Sequence, residues 1–387
     1  MVRFGPMMLF VYAFLNQMCL SVTLISLPIL AYAMEASPLL IGLIGTGGGI
    51  AYAVMTRIFG SILERFSRKK LFFVAELVQA FSMLICFASE NPYELIFARF
   101  VLAGGCALFW PLIESCIADL SEPSRLGRDL MRFNVSWSLA AIVGPQLGGF
   151  LITWFFTKAP FLLSLVVLSF VSTLLLLPGI DAHVNGSSKM SNLINNRKLV
   201  PKKESSKFSP LTYVFLFGFN TAILSGIFPA YATQLGVSAD LIGFMFLLSS
   251  LTQTLMFFSA DKLQPKVGEQ VILLTSAFLF FGALTTIGMS ALEISFFWGF
   301  ALFGIAQGMA YSMAMLLILK ENGSRRRAAA LFESTFGVGF TIGPLVGGVL
   351  YQLGGGYPYL FGAVFSLSTA AVQLFKAKTD KHVPVNP

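Results

Sequence analysis

Two charged side chains and a tryptophan share one face of an otherwise apolar segment, residues 94–119. At about 100° of rotation per residue in an α-helix, Arg99, Trp110 and Glu114 fall on one stripe, together with Cys106. A charge at the centre of a bilayer costs about 2.5–3.5 kcal/mol on insertion scales, so each one calls for a partner or a function. Arg99 is a candidate for ion coupling or for a structural ion pair. Glu114 is a candidate proton-carrying acid, or a partner for an arginine in a loop.

Two further acids lie within apolar segments. Glu76 follows the start of the segment at 71–89 by five residues, and Glu333 lies near the start of the segment at 328–354. We expect Glu76 to pair with Arg57 or with a base in a loop, and Glu333 to pair with Arg327.

Uncharged polar side chains recur near the middle of other apolar segments. Such groups often bond one helix to another, and they can also contact a bound molecule. They are Asn16 and Gln17 in the first segment, Asn220 in the seventh, and Gln307 and Tyr311 in the tenth.

The elements that hold these residues are predicted from composition. The chain has 387 residues, of which 56% are hydrophobic and 11% charged, against about 25% charged in soluble domains. Apolar runs of about 20 residues span a bilayer as helices. The sequence therefore predicts an all-α membrane protein with about twelve transmembrane helices, near 5–33, 39–63, 71–89, 94–119, 131–156, 160–178, 209–235, 240–260, 269–290, 293–319, 328–354 and 357–376.

The basic residues predict the orientation of these helices. If the N-terminus is cytoplasmic, 23 of the 26 Lys and Arg residues fall on the cytoplasmic side, leaving Arg57 and Arg99 within helices and Lys158 outside. We therefore expect both termini in the cytoplasm of a multi-pass protein in the cell membrane. The net charge of +8 is then explained by topology, which excludes nucleic acid as a partner.

Several enzyme classes lack the residues they need. The two histidines, His183 and His382, lie in a polar stretch and near the C-terminus, and the four cysteines lie singly in apolar segments. These positions predict no metal site, no cofactor and no catalytic triad. The glycines at 45–49 lie inside a span and are not followed by Gly-Lys-Ser/Thr, so no phosphate loop is predicted. We expect a protein that is not an enzyme.

The chain repeats itself after about 200 residues. The Gly-Pro-x-x-Gly-Gly run at 144–149 recurs at 343–348, and Arg128 recurs as Arg327, both at an offset of 199. A polar, basic stretch separates the two copies. We predict an N-terminal six-helix bundle at 1–178, a cytoplasmic linker at 179–208 and a C-terminal six-helix bundle at 209–387. Duplicated bundles of this kind are typical of transporters.

The loop after the second helix has Gly60, then Glu64 and Arg65, then a basic run that starts at Arg68. This pattern resembles the signature loop of the major facilitator superfamily. That signature has a glycine, an acid and an arginine, then a second glycine and basic residues. This chain has Glu64 for the usual aspartate and Ser67 for the second glycine. The resemblance implies a gating loop that latches onto Asp119 at the end of the fourth helix. The remaining residues of the predicted gate are Gly60, Arg65, Arg68, Lys69 and Arg128.

The glycine-proline runs resemble the antiporter motif of the drug/proton branch of this family. A proline bends a helix and glycines allow close helix packing, so the motif is also explained by packing alone. The residues are Gly144, Pro145, Gly148 and Gly149, and Gly343, Pro344, Gly347 and Gly348.

The resemblance also implies roles for the polar residues. In this family the first, fourth, seventh and tenth helices line the cavity, which makes their polar residues candidate substrate contacts, and an arginine occurs in the fourth helix near the place of Arg99. We expect a monomeric secondary transporter in the lipid bilayer, in which protons drive the export of small amphipathic or hydrophobic molecules. The alternatives are a sugar or metabolite carrier of the same fold and a receptor or scaffold that transports nothing.

Overall fold

A computed structural model describes residues 6–59, 66–121, 126–174, 209–322 and 325–379. Within these ranges the chain forms twelve α-helices. The helices are α1 Pro6–Ala33, α2 Pro38–Phe59, α3 Arg68–Ala88, α4 Pro92–Leu120, α5 Leu126–Trp154, α6 Ala159–Leu174, α7 Pro210–Gln234, α8 Ala239–Val267, α9 Glu269–Met289, α10 Glu293–Asn322, α11 Arg325–Leu353 and α12 Tyr357–Thr379.

These helices confirm the predicted all-α membrane fold. Eleven of them are long and apolar enough to cross a bilayer, for which about 20 residues are needed. The twelfth, α6, is apolar but has 16 residues in the described part of the chain. The predicted segment at 160–178 continues beyond that part.

The contacts divide the chain into two compact units. The first comprises residues 1–196 with 232–244, and the second comprises 197–231 with 245–387. The predicted domain limits at 178 and 209 remain a prediction, because the linker at 179–208 lies outside the described residues.

The two halves of the chain pack their helices in the same pattern. In the first half, α4 packs against α2 and α3, α3 packs against α6, and α1 packs against α5. In the second half, α9 packs against α10 and α12 in the way that α3 packs against α4 and α6. The sequence repeat therefore corresponds to a repeat of helix packing.

Aromatic side chains fill the core of each unit. In the first unit the fully buried ring of Phe109 lies 5.8 Å from Phe72 between centroids. In the second unit Phe228 lies 4.7 Å from Phe300 and 5.2 Å from Phe296. Edge-on and tilted pairs of this kind add to the stability that burial gives.

The first glycine-proline run forms the contact between α5 and α1. A Cβ atom at Gly144 would overlap the side chain of Ser21, and one at Gly148 would lie 2.5 Å from the carbonyl oxygen of Val22. The helix continues through Pro145. Glycine is therefore required here for close packing of two backbones.

The second run forms the equivalent contact between α11 and α7. A Cβ atom at Gly343 would lie 2.6 Å from the carbonyl oxygen of Phe219, and one at Gly347 would lie 3.0 Å from Ile227 Cγ1. Here too the helix continues through its proline, Pro344. The glycines of both motifs thus lie at helix–helix contacts, and the link between these motifs and antiport stays a prediction.

The last glycine of the first run lies against the start of α8. A Cβ atom at Gly149 would overlap the carbonyl oxygen of Ala239. One turn later, the hydroxyl of Thr153 donates to Asp240 Oδ1 at 3.2 Å and accepts from the Asp240 backbone N–H at 3.1 Å. Gly348, the counterpart of Gly149, is also buried.

Candidate functional site

A fully buried carboxyl group lies between α1 and α3. Glu76 is 0% exposed, and its Oε1 accepts a hydrogen bond from Asn16 Nδ2 at 3.3 Å. The expected pairing with Arg57 is wrong. Arg57 is exposed at the end of α2, whereas Glu76 is fully buried and its hydrogen bond comes from Asn16 of α1.

Two more polar side chains complete what we call the Glu76 cluster, namely Asn16, Glu76, Gln79 and Cys106. Asn16 Nδ2 also donates to Gln79 Oε1, at 3.0 Å, and the thiol of Cys106 on α4 lies 3.7 Å from the same oxygen. Gln79 follows Glu76 by three residues and so lies on the same face of α3. The cluster joins three helices inside the first unit.

The cluster has more polar atoms than hydrogen bonds. Three of its buried atoms have no hydrogen-bond partner in the described part of the chain, namely Asn16 Oδ1, Glu76 Oε2 and Gln79 Nε2. The nearby hydroxyl of Tyr12 is also buried and has no partner there. Unsatisfied buried polar groups are rare in proteins and cost free energy, and they often mark functional sites. The spare groups include an acceptor, a donor and a hydroxyl that can act as either.

Arg99 lies at the contact of α4 with α2. A Cβ atom at Gly48 would lie 2.8 Å from Arg99 Cγ and 2.9 Å from its Nε. The side chain is partly buried, and its Nε is buried without a hydrogen-bond partner among the described residues. Glycine at position 48 therefore provides the space that this side chain occupies. The coupling role of Arg99 stays a prediction.

The stripe on α4 has several different surroundings. Cys106 is buried against α3, as described above. Trp110 is partly buried and lies 6.4 Å from the ring of Phe133 on α5, while Glu114 is exposed. One face of α4 thus contacts two neighbouring helices before it reaches an open surface at Glu114. The proton-carrying role of Glu114 stays a prediction.

In the second unit Asn220 of α7 is fully buried and bonds α12. Its Nδ2 donates to Ser366 Oγ at 3.0 Å, and Ser366 donates to the carbonyl oxygen of Gly362 at 2.7 Å. A Cβ atom at Gly362 would lie 2.8 Å from Asn220 Oδ1. This amide therefore serves a helix–helix contact in the described state.

Gln307 of α10 bonds two neighbouring helices. Its Nε2 donates to Thr221 Oγ1 on α7 at 2.8 Å, and its Oε1 accepts from Ser249 Oγ on α8 at 3.4 Å. Tyr311, one turn later, is partly buried among aromatic rings, with Phe332 at 4.9 Å and Phe257 at 5.3 Å. Three helices of the second unit thus meet at Gln307.

The remaining predicted contact on α1 is more open. Gln17 is partly buried, and its Nε2 donates to Ser21 Oγ at 2.9 Å within the same helix. Its neighbour Asn16 belongs to the Glu76 cluster. Adjacent residues of α1 thus face a closed polar cluster and a more accessible surface.

The predicted gating loop is described in part. Gly60, Glu64 and Arg65 lie outside the described residues, and so does the side chain of Asp119. Arg68 and Lys69 begin α3 with partly buried side chains, and Arg128 is exposed near the start of α5. The latch with Asp119 therefore stays a prediction.

The grouping of Glu76 with Asn16 and Gln79 was not predicted. One signal was present, because an acid and an amide three residues apart in an apolar helix mark one polar face. The third member is 60 residues away in sequence, and no local pattern connects it to the other two.

Comparison with known proteins gives one family for the whole chain. The sequence model described as "Major Facilitator Superfamily" matches residues 9–209 and again residues 210–387. "Multidrug resistance protein 2" of Bacillus subtilis strain 168 is 23% identical over 371 residues, which cover 91% of this chain and 90% of that protein.

A second relative matches a shorter region, and solved structures match the fold. The "Na(+), Li(+), K(+)/H(+) antiporter" of Planococcus maritimus is 31% identical over 132 residues, or 32% of this chain and 30% of that protein. The crystal structure of a variant of the nucleoside transporter NupG superposes with a TM-score of 0.79 at 12% identity, covering 96% of this chain and 99% of that one.

Proposed function

The chain belongs to the major facilitator superfamily, and we propose that it exports small amphipathic or hydrophobic organic molecules in exchange for protons. As a member of this family it is a membrane transporter and not an enzyme. Duplicated halves of this kind work by alternating access, in which the two halves rock around a site near the middle of the membrane. The relatives named for multidrug resistance and for antiport support export and coupling to protons.

The observation that carries the proposal is the placement of ionisable groups inside membrane-spanning helices. Glu76, Arg99 and Glu114 lie in α3 and α4, within described spans. Because charges in a membrane are expensive, they mark ion pathways by default.

The polar amides of the second unit favour an apolar substrate. Asn220 and Gln307 are buried and donate hydrogen bonds to neighbouring helices. Of their two amide oxygens, that of Gln307 accepts from Ser249, and Asn220 Oδ1 has no partner among the described residues. Sugars need several free donors and acceptors in the site, whereas amphipathic molecules are held mainly by apolar and aromatic side chains. Tyr311 and its phenylalanine neighbours are side chains of that kind.

The alternative is a carrier for a sugar or another metabolite in the same fold. Gln17 and Trp110 favour it, because both are partly buried and are side chains that sugar sites commonly contain. On either alternative we place the protein in the cell membrane with both termini cytoplasmic, as a monomer. The loop around residues 60–70, with Asp119 and Arg128, would then gate the cytoplasmic side.

Transport into proteoliposomes tests the proposal. The purified protein is reconstituted, a pH gradient is imposed, and uptake is measured for a panel of fluorescent dyes, antibiotics and sugars. We expect accumulation of cationic dyes such as ethidium that depends on the gradient. Glu114→Gln is assayed in parallel and is expected to weaken coupling to the gradient.

The outcomes separate the two candidate functions. Accumulation of a dye that collapses when the gradient is removed supports proton-coupled export. Movement of a sugar that is independent of the gradient and unaffected by Glu114→Gln contradicts it and favours the carrier.

A further inference from the structure

The fold does not require an acid at position 76. In the second half, α9 takes the place of α3, and the positions 199 to 201 residues after Glu76 are Thr275, Ser276 and Ala277. Ser276 is fully buried, and its hydroxyl donates to the carbonyl oxygen of Leu273 in its own helix at 2.6 Å. An uncharged residue thus fills the equivalent position of the same helix packing, so this packing does not by itself require the carboxyl group of Glu76.

No positive charge faces Glu76 in the described structure. Among the described residues, the titratable groups near it are Tyr12 and Cys19 of α1 and Cys106 of α4. Arg99 of α4 is close to Cys106 but is not among the groups that interact with Glu76. From α6, the hydroxyl of Ser164 donates a hydrogen bond to the backbone carbonyl oxygen of Cys19. A buried carboxylate is normally neutralised by a base or a metal ion. Among the described residues the hydrogen bond to Glu76 comes from the neutral amide of Asn16, so the site suits a carboxyl group that carries a proton.

The neighbours of Glu76 can form hydrogen bonds with its ionised form and with its protonated form. Asn16 Nδ2 donates to Glu76 Oε1, which favours the carboxylate. The spare acceptor Asn16 Oδ1 and the hydroxyl of Tyr12 could accept a hydrogen bond from the protonated acid. A group that can be held in both protonation states is what binding and release of a proton require.

Helix α1 connects the Glu76 cluster with a predicted substrate contact. Asn16 is on α1, and the next residue, Gln17, is partly buried on the same helix. A shift of α1 against α3 would move Asn16 away from Glu76 and remove the hydrogen bond that favours ionisation. A movement of α1 would therefore link Gln17, a predicted substrate contact, to proton binding at Glu76.

We propose that Glu76 binds the transported proton in a state closed to water, with Asn16 and Gln79 as its positioning residues. The inference rests on the proposed function, because it assigns the coupling proton to Glu76 while the site is closed to water. Glu114, which is exposed on α4, would then be a further acid on the same proton path. In each cycle the carboxylate takes up one proton from water on one side and releases the same proton on the other. No other reactant is needed.

Glu76→Gln in proteoliposomes tests the inference, with ethidium as the probe. A glutamine resembles the protonated acid but cannot release a proton. We expect accumulation driven by the pH gradient to fall by more than about tenfold, while exchange of ethidium for ethidium without a gradient continues. Glu90→Gln, which changes an exposed acid after α3, is the matched control and should behave as the wild type.

The results distinguish failure of the inference from failure of the proposed function. Gradient-driven accumulation by Glu76→Gln within about twofold of a coupled wild type overturns the assignment of the proton to Glu76 and leaves the proposed function intact. A wild type that shows no response to the gradient overturns both.

Asn16→Ala gives a second test should Glu76→Gln fail to fold. Loss of the amide removes the hydrogen-bond donor to ionised Glu76. The midpoint of the pH dependence of transport should therefore move in Asn16→Ala. Ser82→Ala removes a buried hydrogen bond from α3 to the carbonyl oxygen of Ala98 and should leave the midpoint in place. An unmoved midpoint in Asn16→Ala contradicts the inference.

Discussion

A single methyl group added at Gly105 should disturb the Glu76 cluster from the α4 side. A Cβ atom there would lie 2.5 Å from Gln79 Cγ, 2.9 Å from the carbonyl oxygen of Ala75 and 3.1 Å from Gln79 N. Two of these atoms belong to the backbone of α3, so relief requires α3 to move away from α4. Gly104→Ala is the matched control, because its Cβ would meet only the flexible thioether of Met55, at 2.9 Å from Sδ.

The expected difference follows from two terms. Alanine in place of glycine in a helix gains about 1 kcal/mol in both variants. Overpacking at a rigid contact costs about 1–3 kcal/mol, and this cost applies to Gly105→Ala alone. The free energy of unfolding of Gly105→Ala should thus be lower than that of Gly104→Ala by about 1–3 kcal/mol.

The buried cysteines allow thermal unfolding to be measured. All four are free thiols and buried in the structure, so a thiol-reactive fluorophore labels them as the protein unfolds on heating in detergent. Gly105→Ala should melt at a lower temperature than Gly104→Ala, and the pH profile of its transport should change because Gln79 is displaced. Equal melting temperatures would show that α3 and α4 are not packed as closely as described.

Two other substitutions follow from the same reasoning. Gly48→Ala should reduce transport by displacing Arg99. Gly47→Ala is the control and should transport like the wild type, because its Cβ would meet its nearest neighbour at 3.7 Å. Equal transport rates of the two variants would show that Arg99 does not need this space. Asn220→Ala should lower the melting temperature, because loss of the hydrogen bond to Ser366 costs about 1 kcal/mol. A change in the KM for ethidium at unchanged stability would instead indicate contact with the substrate.

The number and type of helices could be predicted because hydropathy reports which residues meet lipid. Helix ends were predicted less well. The fifth helix was expected to begin at 131 and begins at Leu126, because its first turns carry Arg128 and Asp129 and continue beyond the apolar run. The eighth was expected to end at 260 and continues to Val267 in the same way. Hydropathy marks the part of a helix within the membrane and not its whole length.

The sequence predicts single residues of the candidate site but not which of them lie together. An acid in an apolar helix was visible at Glu76, and so were the amides at Asn16 and Asn220. Which of them meet depends on how α1 packs against α3 and α7 against α12, and these contacts join residues 60 and 146 positions apart. Expecting a basic partner for Glu76 was reasonable for a charge in lipid, but it overlooked a neutral amide as the alternative.

The most direct test of proton-coupled export is to record dye and proton movement in the same proteoliposomes. Ethidium fluorescence reports the dye, and a pH-sensitive dye trapped inside reports protons. We predict that adding ethidium to wild-type vesicles starts a proton flux in the opposite direction, at a fixed ratio to ethidium movement. Ethidium movement without any proton flux, or proton flux that does not depend on ethidium, would contradict it.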